Sequence, residues 1–163
     1  MSLSDLMVYG PDADPPVTFN FMVQIDNIAG TMMWTSVSGL SLSVSTKSNQ
    51  KSTNNNQTAL AVTRGAKTSG KLTLTRPLGP SSQDIFNWVQ QVDKPGNALT
   101  ATSGVVALFD PVGQTMYEWE LSGVMPTDWS IAKFDASQTG SVIEETLTLS
   151  YKDIDFSVSQ YGD

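Results

Sequence analysis

The chain has 163 residues, which is enough for one domain built around a single hydrophobic core. Only 15% of the residues are charged, against about 25% in an average soluble domain, and the net charge of -7 argues against nucleic acid as a ligand of the whole surface. Cysteine and histidine are both absent, which excludes disulfides, thiolate nucleophiles, histidine bases and the zinc or haem sites that these residues form.

The basic residues are unevenly distributed along the chain. Six of the nine lie within 47–76, a stretch without any acidic residue: Lys47, Lys51, Arg64, Lys67, Lys71 and Arg76. The rest of the chain holds all sixteen acidic residues, so the protein is electrostatically complementary to further copies of itself. This distribution predicts a protein whose main partner is its own kind. An ordinary solvated basic loop is the alternative.

The chain begins with a polar segment, 1–16, whose prolines predict a flexible arm. Nothing in its first ten residues resembles a signal peptide, and no stretch has the ~20 apolar residues that a membrane-spanning helix needs, so we expect synthesis in the cytoplasm without membrane insertion. In 17–26 apolar and polar residues alternate, as they do in a half-buried strand. This pattern places Phe19 and Phe21 in the core.

A second strand is predicted over 34–46, where apolar residues alternate with serines. Its core-facing positions are Leu40, Leu42 and Val44. Its solvent-facing positions are Ser41, Ser43 and Ser45. Gly39 within the strand predicts a bulge or a sharp bend. The next segment, 47–58, is low in hydrophobicity, which predicts a long exposed loop or the tip of a hairpin.

Two further strands are predicted at 59–64 and 70–76, and then the periodicity changes. Apolar residues recur at helical spacing within 80–92, at Ile85, Trp88, Val89 and Val92. This spacing predicts a helix whose Trp88 packs in the core. Ser81 and Asp84 are predicted to form an N-terminal capping pair, and the run of lysine, proline and glycine at 94–96 to end the helix.

The second half of the chain returns to strands. A hairpin is predicted from 105–109 and 114–122, joined by the turn sequence of 110–113. In the second of these strands Tyr117, Trp119 and Leu121 share one face, and Trp119 is a predicted core residue. A turn is predicted at 125–128, followed by a strand at 129–134.

The last predicted strand covers 142–152 and places Leu147 and Leu149 in the core. Glu145 falls on the apolar face of this strand, so it is either paired there or shifted by a bulge. The predicted domain extends over 17–158 with a tail at 159–163. About eight strands and one helix predict a mainly β (α+β) fold, an antiparallel sandwich or barrel with the helix packed alongside.

Candidate catalytic or metal-binding groups are few. Glu144 and Glu145 are neighbours on a strand and point to opposite faces, so they do not form a catalytic carboxylate pair. The acidic residues of the N-terminal arm are too sparse for a calcium loop, and the basic loop 64–67 lacks the glycines of a phosphate-binding loop. We therefore expect neither an enzyme nor a bound cofactor or metal.

Taken in order, these segments resemble a known family. They are the extended strand at 19–26, the segment 34–40, the strand at 70–76, the helix around 86–88, the hairpin through 108–120, and the strand at 143–151. This order is similar to that of the inner-tube proteins of contractile phage tails and contractile injection systems, which are related in fold to the type VI secretion tube protein. The resemblance extends from about residue 14 to residue 151.

The resemblance implies a structural protein of a phage tail or tail-like particle. Such proteins form hexameric rings, joined edge to edge by their sheets, that stack into a hollow tube. The implied partners are further copies of the chain, a contractile sheath, baseplate and tape-measure proteins, and cargo or DNA in the lumen. Two features depart from the family: Thr127 and Asp128 stand where a basic residue often follows the proline, and 47–58 is poorer in glycine and proline.

Two hypotheses go beyond the resemblance. The basic residues named above are candidates for contacts between subunits or between rings. Six hydroxyl residues are candidates for the channel lining: Ser41, Ser43, Ser45, Thr146, Thr148 and Ser150. The alternatives are a monomeric β-sandwich that binds a ligand such as carbohydrate, and an adaptor ring subunit of a tail or baseplate.

Overall fold

The computed structural model describes residues 20–26, 28, 34–52, 58–65, 68–96, 100–110, 113–137 and 139–159, and for 47–52 and 58–64 it describes the backbone alone. The predicted arm at 1–16 therefore lies outside the described residues. The elements are β1 (Asn20–Ile25), β2 (Ser36–Ser38), β3 (Thr46–Ser52), β4 (Thr58–Arg64), β5 (Gly70–Pro77), α1 (Ser82–Asp93), β6 (Thr102–Phe109), β7 (Thr115–Ile131), β8 (Glu144–Tyr151) and β9 (Asp153–Val158).

The prediction of a mainly antiparallel β fold with one helix is confirmed. Seven strands form one sheet in the order β1-β6-β7-β8-β5-β2, with β9 also paired to β7. The long strand β7 belongs to both halves of this sheet, since its first part pairs with β6 and β9 and its second part with β8. The sheet therefore curls around β7 into a half-barrel, and β3 and β4 form a separate hairpin.

The core lies between the two halves of the curled sheet. Leu72 and Leu74 of β5 and Leu147 and Leu149 of β8 are completely or almost completely buried there, because alternate residues of each strand point inward. The aromatic residues predicted for the core lie at its margin: Phe21, Trp88 and Trp119 are partly buried and pack against it. Phe19 is outside the described residues.

The helix ends as predicted, but its beginning differs. Ile85 is fully buried, with Trp88 and Val89 packed on the core, and Lys94 is the C-terminal cap, directly before a proline. The predicted capping pair of Ser81 with Asp84 is wrong, because the side chain of Ser81 makes no capping hydrogen bond. No helix in the described ranges is both long and apolar enough to cross a membrane.

The second predicted strand is mostly wrong. Strand geometry is confined to Ser36–Ser38, and the chain then turns at Gly39, whose φ is +97°. Leu40 is half-buried, but Leu42 and Val44 are 64% and 66% exposed, so they do not face the core. A left-handed residue cannot continue a regular ladder, so the alternation that follows it has no partner strand within the described residues.

The predicted turn at 125–128 is also wrong, since β7 continues through it to Ile131. The pairing with β8 shifts register between Pro126 and Asp128. Such a bulge tolerates proline inside a strand, because the local ladder is already interrupted there. The turn predicted at 110–113 is present: Gly113 donates its backbone N–H to the carbonyl of Asp110 at 3.0 Å and has a φ of +89°.

Two strands of the structure differ from the sequence predictions. The segment 47–58 was predicted as a long exposed loop or the tip of a hairpin, but 47–52 belongs to strand β3, which pairs with β4 from Thr46 opposite Arg64 to Ser52 opposite Thr58, and 53–57 lies outside the described residues. The C-terminal strand β9 was not predicted, although Ile154, Phe156 and Val158 alternate with polar residues there. It pairs with the first half of β7.

Candidate functional site

A buried ion pair joins the sheet to the helix. Glu145 of β8 is fully buried and Arg76 of β5 is 5% exposed, and the Arg76 Nε donates to Glu145 Oε1. Ser82 Oγ donates to the same carboxylate oxygen at 2.8 Å, and Trp129 Nε1 donates to Glu145 Oε2 at 2.9 Å. The guanidinium of Arg76 also lies 4.7 Å from the centre of the Trp34 ring. These contacts connect β5, β7, β8, α1 and the segment before β2.

This network settles one prediction and corrects another. Of the two possibilities for Glu145, pairing is the one observed. The assignment of Arg76 to an inter-subunit contact is wrong, because a buried guanidinium that already contacts a carboxylate does not offer its charge to a neighbour. The sequence could have shown that Arg76 is buried. It lies two and four residues after the buried Leu74 and Leu72, so its side chain points to the same face of β5.

The remaining basic residues do not form one surface. Lys47 and Lys51 lie in β3 and Arg64 ends β4, so three of them belong to the hairpin. Lys71 is exposed on β5, on the sheet face opposite the core, while Lys67 is outside the described residues. The basic stretch is therefore distributed over the hairpin, the sheet face and the core.

The face of the sheet opposite the core is rich in hydroxyl groups. In β8 it presents Thr146, Thr148 and Ser150, and the strand register places hydroxyl residues beside them. These neighbours are Thr73 and Thr75 of β5, Ser36 and Ser38 of β2, and Ser130 of β7. The charged residues of this face lie at its margins, at Lys71, Asp128 and Glu144. We call these four strands and their outward side chains the hydroxyl face.

The other predicted lining residues are elsewhere. Ser41, Ser43 and Ser45 are exposed but belong to the irregular segment between β2 and β3. The structure therefore does not bring the two groups of hydroxyl residues onto a single sheet face.

A second surface of the curled sheet is acidic. Glu118 and Glu120 of β7 point away from the core, and Glu120 lies directly opposite Asp155 of β9. Like charges placed directly opposite each other on neighbouring strands are destabilising. The strands β1, β6, β7 and β9 contain no lysine or arginine to offset this repulsion. We call these three residues the acidic face.

Neither surface resembles a catalytic centre. Among the residues that the structure describes, no group of three or more acidic side chains is arranged to hold a metal ion. Asp135, in the loop before β8, is the carboxyl with a clear pKa shift among the described residues. The Ser137 hydroxyl and then the Ser137 backbone N–H donate to it and lower its pKa, which stabilises a local turn rather than a reactive group.

The fold and these surfaces define a class of protein. Within the described residues, the curled antiparallel sheet has unpaired edges, a face of mostly hydroxyl groups and an acidic face, features that suit a structural subunit associating through its sheet edges. The model of the T4-like virus tail tube protein gp19 family matches residues 17–155, and the chain belongs to this family. The resemblance to inner-tube proteins is thereby confirmed. No curated protein sequence matches the chain.

Solved structures agree with this assignment. A chain from the extended sheath–tube complex of an extracellular contractile injection system, PVC, has a TM-score of 0.73 at 21% identity, covering 98% of this chain and 99% of that one. A chain from the tube-terminating cap of the anti-feeding prophage also has a TM-score of 0.73, at 19% identity over 89% of this chain and 92% of that one.

A more distant match is Hcp1 from Flavobacterium johnsoniae. Its TM-score is 0.50 at 13% identity, covering 89% of this chain and 100% of that one. At these identities the similarities demonstrate a shared fold.

Proposed function

We propose that the chain is the inner-tube subunit of a contractile injection system or phage tail, a non-enzymatic protein whose hexameric rings stack into a hollow conduit. The family match carries this proposal. On the same basis, the proposed partners are a contractile sheath, the baseplate and tape-measure proteins, and cargo or DNA in the lumen. The proposed location is a tail or tail-like particle whose subunits are made in the bacterial cytoplasm.

The free edges of the sheet support ring formation. Within the described residues, β2 bonds only to β5, and the part of β7 from Met125 to Ile131 bonds only to β8. The half of the sheet made of β2, β5, β8 and this part of β7 thus has an unpaired strand edge on each side. Joining one edge to the opposite edge of the next copy is a head-to-tail contact, which closes a ring when the rotation allows it.

Particle size tests the proposal directly. Purified protein at high concentration should give rings or stacked rings in negative-stain micrographs and elute far above the mass of one subunit. A single-subunit mass at all concentrations and salt conditions would contradict it and favour a monomeric binding module. Single rings that never stack would favour an adaptor.

The hydroxyl face is proposed to line the lumen. An uncharged hydroxyl surface holds passing cargo weakly, which suits a conduit. In assembled tubes, a Thr148→Cys variant should react with a small maleimide but not with a polyethylene-glycol maleimide too large to enter the channel. Because the native chain has no cysteine, the introduced thiol is the one reactive group.

The control for this experiment is Lys133→Cys, at an exposed position that belongs to neither face. Both variants should react equally with both reagents when the tubes are dissociated. If Thr148→Cys reacts with the large reagent in intact tubes as fast as in free subunits, the hydroxyl face does not line the lumen.

The hairpin is proposed to contact an acidic surface on a neighbouring subunit or ring. Its bases Lys47 and Lys51 and the acidic face are of opposite sign, and such pairing sets register and orientation more than affinity. The double variant Lys47→Glu/Lys51→Glu should fold normally but form few or no tubes. Turbidity and micrographs measure this.

A matched pair of exposed lysines outside the hairpin, Lys94→Glu and Lys133→Glu, changes the net charge equally and should leave tube growth near the wild-type level. Wild-type growth of the hairpin variant at low salt, where charge interactions are strongest, would reject the role of the hairpin charges.

A further inference from the structure

Two apolar side chains that follow β2 are largely exposed. Leu42 and Val44 alternate with serines as in a half-buried strand, yet 64% and 66% of their surfaces are exposed. The start of this segment is held in place, because the Tyr151 hydroxyl accepts a hydrogen bond from the Ser41 N–H at 3.0 Å and lies 2.9 Å from the Gly39 carbonyl. This segment therefore holds two apolar side chains near a fixed position, where an apolar surface of another molecule could bury them.

The described residues include such a surface. Leu78, Pro80, Phe86 and Trp129 line an open cavity of about 470 Å³ between the end of β5 and the start of α1. Phe86 packs edge-on against Trp129 with ring centres 5.2 Å apart, yet Phe86 and Leu78 remain 39% and 41% exposed. We call this cavity the helix groove. Its polar lining residues, Ser82 and Gln83, carry no charge, so it suits uncharged side chains.

The segment and the helix groove lie at opposite ends of the sheet. Gly70 pairs with Tyr151 at one end of β5 and β8, and Pro77 pairs with Glu144 at the other. At ~3.4 Å per residue, these ends are roughly 24 Å apart. Val44 reaches at most about 10 Å from the anchored Ser41, given ~3.3–3.6 Å per residue for extended chain. One copy therefore cannot bring its own Val44 into its own groove.

We propose that Leu42 and Val44 of one copy occupy the helix groove of a second copy in the next ring of the stack. This inference rests on the proposed tube function and adds the contact that joins rings. Complementary patches at opposite ends of one molecule form a head-to-tail interface, which repeats without closing and so produces a stack. The contact is apolar, so it withstands salt that weakens pairing between the hairpin and acidic residues.

Cysteine cross-linking tests the contact. The native chain has no cysteine, so single variants Val44→Cys and Phe86→Cys can be prepared, mixed, assembled and oxidised. The mixture should give a covalent dimer on a non-reducing gel, and each variant alone should give little. A double variant carrying both cysteines should give a ladder of multimers. Equal dimer yields from each variant alone, or no dimer in the assembled mixture, would overturn the inference.

A second variant separates the loss of stacking from the loss of rings. Leu42→Ser/Val44→Ser should form rings that do not stack at concentrations at which wild-type rings stack, because every subunit of a ring loses two apolar side chains from the contact. Phe134→Ser is the control, since Phe134 is an equally exposed apolar residue, at 65%, in another loop. Tubes of normal length from the double variant would refute the contact, whereas wild-type protein without rings would refute the tube function.

Discussion

Replacing Glu145 with Ala will lower the free energy of unfolding by about 3–5 kcal/mol, because removing one partner of a buried ion pair leaves the other charge uncompensated. Glu145 is fully buried and accepts hydrogen bonds from Arg76, Ser82 and Trp129. Without it, the guanidinium of Arg76 stays in the core without its carboxylate, and Trp129 Nε1 loses its acceptor. Urea denaturation of the unassembled subunit measures the change.

The neighbouring residue supplies the control. Glu144→Ala removes an exposed carboxylate from the same strand and should change the free energy of unfolding by no more than about 0.5 kcal/mol. The double variant Arg76→Met/Glu145→Leu removes both charges, so it should be more stable than Glu145→Ala. Equal stability of Glu145→Ala and Glu144→Ala would show that the buried pair contributes nothing.

Replacing Gly39 with Ala should lower the free energy of unfolding by about 2–6 kcal/mol. Backbone strain at a non-glycine residue with positive φ contributes about 1–3 kcal/mol, and the steric overlap of the new Cβ contributes about 1–3 kcal/mol more. Gly39 has a φ of +97°, and a Cβ there would lie 2.0 Å from the backbone carbonyl oxygen of Lys71. A backbone atom cannot rotate away as a side chain would, so the turn must move. Thermal or urea unfolding measures the loss.

The same substitution also tests how the turn supports assembly. Gly39 and Ser41 are held by the Tyr151 hydroxyl, so displacing the turn redirects the segment that carries Leu42 and Val44. Gly113→Ala is the control, because Gly113 has a similar φ of +89° but a Cβ there meets no atom within 4 Å. We expect Gly39→Ala to stack poorly even at temperatures at which it is folded. Identical stability and stacking for the two variants would contradict this role of the turn.

Much of the fold was predictable because its strands follow a regular period. The buried Leu72 and Leu74, and likewise Leu147 and Leu149, occupy alternate positions, which identified β5 and β8 and their inner faces. Helical spacing around Ile85 identified α1 in the same way. In each case neighbouring residues carry the pattern, so no knowledge of distant contacts was needed.

The wrong predictions have a common cause. The alternation around Leu42 shows that these side chains share a face, but it does not show whether another strand covers that face. Pro126 suggested a turn, although a register shift with β8 accommodates it inside β7. Arg76 was assigned to the surface by its charge alone, because its partner Glu145 is 69 residues away in the chain.

Periodicity and composition were thus sufficient to predict a mainly β domain, since these properties reside in short stretches of chain, and the order of its segments resembles that of tail tube proteins. Long-range contacts were needed to show which charges are neutralised in the core, which apolar residues stay exposed and which strand edges stay open. A hydrogen bond or an ion pair between distant residues exists only after folding has brought them together, and the surfaces left over from that pairing are the ones available to neighbouring subunits.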